Sequence, residues 1–152
     1  MARRGCPRHR KWCWHHWRRD LGLAAALEAQ GRKSPIPVTV DADGVGRLAQ
    51  DIEAAVYFSA LEALQNTAKY AHASSAIVTL RRSNGVLAFT VADDGTGFDP
   101  ASTGYGTGLQ GIADRLGALD GEVRVESSPG SGTTVTGRVP VRSGADEDEG
   151  KA

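Results

Sequence analysis

The chain has 152 residues, 40% of them hydrophobic, with 18 basic and 18 acidic side chains and a formal net charge of zero. That length supports one domain with extensions and a real hydrophobic core. The charge is unevenly placed, because residues 1–19 carry seven Lys/Arg and no acid, Asp146, Glu147, Asp148 and Glu149 form an acidic run, and residues 21–144 have a net charge of −3. Such a body lacks the basic footprint of non-specific nucleic-acid binding. Nor does any apolar run reach the roughly 18 residues of a bilayer span. Cys6 and Cys13 give the body no disulfide framework, which fits a cytoplasmic setting.

Residues 1–20 contain all three tryptophans and are expected to be a disordered leader, with a basic aromatic anchor for nucleic acid or anionic lipid as the alternative. Cys6, His9, Cys13, His15 and His16 match no standard zinc-ligand spacing. Asp20, Gly22 and Glu28 make LGLAAALEA too short and amphipathic for a signal peptide. A helix is expected over residues 21–33, stopped at Gly31, before the Pro35 and Pro37 breaks. Val38–Val40 reads as a short strand and DADGVG as a turn. A long helix follows from about Asp51 to Ala71, with Asp51 or a neighbour as its cap. AIVTLRR and VLAFTVAD flank Asn84-Gly85 and form a hairpin. A glycine-rich loop, a helix near Leu109–Leu119 and a second hairpin, EVRVES and TTVTGRVP, complete the body, with an acidic tail over 143–152. The expected fold is α+β, a two-layer sandwich with a mixed, mainly antiparallel sheet.

Three features carry chemistry. In ALEALQNTAKYAHA, Glu62, Asn66 and Lys69 fall within about a 60° arc at roughly 100° per residue. Tyr57, Leu61, Leu64 and Ala68 gather opposite them as the expected core stripe, so the polar arc by itself reads first as a solvated face carrying a Glu/Lys pair. Asp93-Asp94-Gly95-Thr96-Gly97-Phe98 ends a strand and is either an ordinary turn or a loop whose backbone approaches a flat ligand while a carboxylate accepts its hydrogen bond. Gly104, Gly106 and Gly108 precede a helix whose first N–H groups suit phosphate, although the spacing is neither a P-loop nor a Rossmann fingerprint.

Their order, closed by SSPGSGTTV, resembles the ATP-binding domain of sensor histidine kinases in the gyrase, chaperone, kinase and MutL (GHKL) superfamily, the Bergerat fold. The resemblance covers about Leu21 to Val141, and its wording is similar to kinases that pair with LuxR/NarL-type response regulators. It implies an ATP domain over 34–142 and makes 21–33 resemble the end of a dimerisation hairpin. It assigns Asn66 to Mg²⁺ on the ATP phosphates, Lys69 to the phosphate chain and Glu62 to the role of polarising acid or general base. Tyr70 and His72 would border the nucleotide, Asp93 would read the adenine amino group, and Gly95 and Gly97 would shape the floor. Gly106 and Gly108 would close on the phosphates within a lid, Phe98 to Thr107. Thr133 would support the adenine pocket through its hydroxyl, with plain strand propensity as the alternative. The implied activity is ATP-dependent phosphorylation of a histidine not recognisable in this chain, on a dimerisation domain that would also supply dimer contacts. An anti-sigma-type serine kinase and a regulatory nucleotide-binding module without transfer are the alternatives.

Overall fold

The computed structural model describes residues 22–70, 72–99 and 107–141. The expected leader and acidic tail therefore lie outside the described residues, as do Gly106, most of the expected lid and the side chain of Tyr70. Helix α1 spans 22–32. It is followed by β1 (Val38–Asp43), α2 (Gln50–Tyr70), β2 (Ala76–Ser83), β3 (Val86–Asp93), α3 (Thr107–Gly117), β4 (Glu122–Ser127) and β5 (Thr133–Pro140).

The five strands form one sheet in the order β1-β2-β3-β5-β4. β1 runs parallel to β2, with Val38 opposite Ala76, while the other three pairings are antiparallel. The parallel pair follows from the connection, since α2 carries the chain back along the sheet before β2 begins. β1 continues three residues past the expected Val40 because VTVDAD keeps alternating, with its polar residues at the exposed positions. At the hairpin, Asn84 and Gly85 both have positive φ, 52° and 74°, as a two-residue turn matched to strand twist requires.

One face of the sheet is buried. Val78 and Leu80 of β2, Leu87, Phe89 and Val91 of β3, and Val135 and Val139 of β5 belong to a single core with Leu109, Ile112 and Leu116 of α3. The alternate residues Thr79, Thr90 and Thr136 lie in one register row across the other face and are only partly buried. Helices on one side of a sheet give the expected two-layer α+β sandwich. Gly137 permits the tightest packing in this core, since a Cβ there would strike the Phe89 ring and Leu116 Cδ1. Leu23, Ala26 and Leu27 of α1 are at most 1% exposed in the same core. Helix α1 thus shares its packing with the body expected to begin at residue 34.

Helix α2 does not bury the stripe expected of it. Tyr57 and Leu64 are buried, but Leu61 and Ala68 are only partly so, and the deepest positions include Val56, Ser59, Ala60 and Ala63. Small side chains let α2 lie close on the sheet, and a stripe of Ala and Ser carries little hydrophobic signal in a sequence. At its start, Glu53 is 1% exposed and its Oε2 accepts from Leu48 N (3.0 Å) and Arg47 Nε (3.2 Å). The expected cap residue, Asp51, lies inside the first turn of α2, where its Oδ1 accepts from Ile52 N (2.8 Å). Among the described residues, no helix is long and apolar enough to cross a membrane.

Candidate functional site

The polar arc of α2 meets the first turn of α3. A Cβ built on Gly108 would stand 2.5 Å from Glu62 Oε2 and 3.2 Å from Asn66 Nδ2. Glycine therefore lets the N-terminal turn of α3 close onto the carboxylate and the amide together. The first N–H groups of that helix have no intrahelical acceptor, and the helix dipole favours an anion there. Glu62 and Asn66 are partly buried, which is unlike a solvated face, whereas Lys69, one turn farther along, is exposed in the last turn of α2. His72 is exposed, with φ 53°.

A second cluster forms where β3 ends and β5 begins. Asp93 Oδ1 accepts from Gly95 N (2.8 Å), and Asp93 Oδ2 lies 3.1 Å from Thr67 Oγ1 on α2. A Cβ on Gly132 would strike the Asp93 carbonyl, and one on Gly97, whose φ is 69°, would strike Ser128 O and stand 2.9 Å from Gly132 O. The two loops can approach this closely only as glycine. Thr133 lies opposite Asp93 in the β3–β5 register, and its hydroxyl is 2.8 Å from Ser127 Oγ. Ser127 Oγ also accepts from Phe98 N (2.8 Å) and donates to Gly132 O (3.1 Å). The Ser127 proton being used on Gly132, the Thr133 hydroxyl is left to donate to Ser127. Thr133 thus braces the start of β5 against Ser127 at the end of β4.

The neighbouring Asp94 fastens the α2–β2 connection. Its Oδ1 accepts from Ser75 N (3.1 Å) and Ser74 N (2.8 Å), and these two backbone bonds, Ser75 first, hold the carboxyl below its ordinary range. A depressed folded-state value means that the bracing is complete above the ordinary carboxylate range and is lost as pH falls through the folded-state value. The Ser74 and Ser75 amide signals are expected to shift together in an acid NMR titration, with a midpoint below that of an ordinary aspartate; Asp94→Asn should abolish the transition.

Helix α2 joins the two clusters, because Asn66 faces Gly108 while the next residue, Thr67, reaches Asp93. The structure so gathers Glu62, Asn66 and Gly108 at one end, and Asp93, Gly95, Gly97 and Thr133 at the other. Sequence reasoning missed Thr67, Ser127 and Gly132. Ser127 and Gly132 had a usable signal, since both lie in SSPGSGTTV, whereas Thr67 had none. The donor set suits a hard cation, because Glu62 and Asn66 offer carboxylate and amide oxygens. Among the described residues no group of three or more His, Cys, Asp or Glu is suited to holding a metal ion. A magnesium ion here would accordingly take most of its ligands from phosphates and water.

The model of the histidine kinase-, DNA gyrase B- and HSP90-like ATPase family matches residues 52–143. Sensor histidine kinase MctS of Rhizobium johnstonii is 36% identical over 130 residues, which cover 80% of this chain and 28% of that protein. The signal transduction histidine-protein kinase/phosphatase DegS of Brevibacillus brevis is 30% identical over 128 residues, covering 80% of this chain and 33% of that one. The chain thus spans about a third or less of the curated relatives it matches. Among solved structures, the histidine kinase domain of the blue-light activated histidine kinase from Erythrobacter litoralis superposes with a TM-score of 0.58 at 28% identity, covering 78% of this chain and 57% of that one. With two glycine-lined clusters meeting α2 at Asn66 and Thr67 and a family match over most of the described body, the chain belongs to the histidine kinase-, DNA gyrase B- and HSP90-like ATPase family and carries its ATP-binding fold.

Proposed function

We propose that this chain supplies the catalytic domain of a two-component sensor histidine kinase, which moves the γ-phosphoryl group of ATP to a histidine nitrogen. The observation that carries the reading is the contact of Gly108 with Glu62 and Asn66, which unites the acid, the amide and a helix N-terminus at one place. The sensor-kinase names of the relatives support it. Asp93 would accept a hydrogen bond from the adenine amino group, over a floor shaped by Gly95 and Gly97. Asn66 would hold magnesium, with Glu62 beside it. Bound magnesium supplies charge neutralisation on the phosphates. Glu62 would accept the hydrogen bond of the attacking imidazole N–H and so orient its other nitrogen. Lys69 would attract the phosphate chain as an exposed point charge, Gly106 would close on it, and Tyr70 and His72 would border the nucleotide. The acceptor histidine belongs, in this reading, to a dimerisation hairpin that residues 21–33 would adjoin, and the onward partner is a response regulator of the LuxR/NarL type. The setting is cytoplasmic.

Isothermal titration with Mg·ATP tests the site. Asn66→Ala and Asp93→Ala should each weaken binding at least tenfold, about 1.4 kcal/mol, and unchanged affinity in both would sink the assignment. For the transfer step, radiolabelled ATP and an added acceptor hairpin should yield acid-labile, base-stable phosphate. Acid-stable phosphate on a serine would instead support an anti-sigma-type kinase. Tight ATP binding with no transfer would support a regulatory nucleotide-binding module.

A further inference from the structure

Thr67 is 5% exposed on the sheet-facing side of α2, and its hydroxyl lies 3.1 Å from both Ala63 O and Asp93 Oδ2. A threonine inside a helix commonly bonds back to the carbonyl four residues earlier, and that habit needs no partner beyond Ala63. Asp93 makes this position different. A hydroxyl has one proton, and an ionised carboxylate is a stronger acceptor than a peptide carbonyl. The Thr67 proton therefore goes to Asp93, and Ala63 remains as the fallback.

The other carboxylate oxygen, Oδ1, is held by Gly95 N at 2.8 Å. One donor on each oxygen, from α2 on one side and from the loop after β3 on the other, fixes the rotation of the carboxylate plane. That torsion is otherwise broad for aspartate. Each oxygen keeps a lone pair for a further donor. We infer that Thr67 is a positioning residue, which sets the plane of the Asp93 carboxylate and thereby its preference for a base bearing an exocyclic amino group. The inference rests on the reading that Asp93 receives that amino group. The contact spans 26 residues of sequence and ties base selection to the helix that also carries Asn66.

The test compares ATP with inosine triphosphate, in which a carbonyl replaces the amino group, by titration calorimetry on the full chain. Thr67→Val keeps the branching and nearly the volume but removes the hydroxyl, and Thr67→Ser keeps the hydroxyl. Thr67→Val should weaken ATP binding about tenfold, the scale of one hydrogen bond to a charged group, and should compress the ATP-to-inosine-triphosphate ratio. Thr67→Ser should retain both within about threefold. Thr67→Ala offers the same hydroxyl deletion if valine unfolds the domain. Equal loss of preference in the serine and valine variants would mean that packing is responsible, and would overturn the inference. So would a preserved ratio in Thr67→Val when Asp93→Asn abolishes it. A ratio that survives Asp93→Asn overturns the base-reading role of Asp93 instead, and the inference falls with it.

Discussion

Replacing Gly108 by alanine is expected to damage ATP binding while leaving the fold intact. The added methyl would sit 2.5 Å from Glu62 Oε2, so the carboxylate must move, and 3.2 Å from Asn66 Nδ2. Glu62 is long and can swing away, which spares the fold. Gly108 does not have positive φ, and alanine in a helix gains up to about 1 kcal/mol over glycine. The melting temperature should therefore hold or rise. The cost falls on function, because the methyl occupies the contact between the two helices and displaces the acid. An ångström-scale misplacement of a catalytic group costs about a hundredfold in rate, so phosphoryl transfer to an added acceptor hairpin should drop by about that factor. Mg·ATP affinity should weaken at least several-fold. A variant with lowered stability but normal binding and transfer would show Gly108 to be a packing glycine alone.

Glu53→Ala should have the opposite signature. Glu53 is 1% exposed, and its carboxylate receives the Leu48 amide and the Arg47 guanidinium, with the Arg47 side chain 54% exposed. Removing one member of a buried pair leaves its partners unpaired and costs about 3–5 kcal/mol when both are fully buried. Here Arg47 can rehydrate, which lowers the expected loss to about 2–3 kcal/mol. For a body of this size that is a fall of roughly 10 °C in melting temperature. Glu53→Gln keeps an oxygen for the Leu48 amide and should lose about half as much. Because Glu53 lies three turns before Asn66 on α2, ATP affinity measured well below the melting temperature should change less than twofold. A melting temperature that did not move in Glu53→Ala would refute the anchoring role.

These two residues also mark how far the site could be read without coordinates. Glu62, Asn66, Asp93, Gly97 and Gly108 carry residue types that a nucleotide site uses, at spacings set by helix period and tight turns, so the chain order alone exposes them. Glu53 and Thr67 look like ordinary helix residues. Nothing in QDIEAAVYFSALEALQNTAKY says that Glu53 is buried, or that Thr67 points to a strand end. The core face of α2 departs from the expected stripe at Leu61 and Ala68 for a related reason: the close approach of α2 to the sheet favours small side chains, which carry little hydrophobic signal.

By itself, the sequence determined the local elements, the two hairpin turns and the order of the polar and glycine motifs, because each depends on neighbours within a few residues. Asn84-Gly85 needs no distant partner to turn, nor does β1 need one to alternate. Tertiary structure alone decided which residues meet. Gly108 was a helix-start glycine until α3 packed on Glu62 and Asn66, and Asp93 a turn aspartate until Thr67 reached it across 26 residues. The parallel β1–β2 pairing and the burial of α1 were settled in the same way, by the single hydrophobic core that draws all three helices onto one face of the sheet.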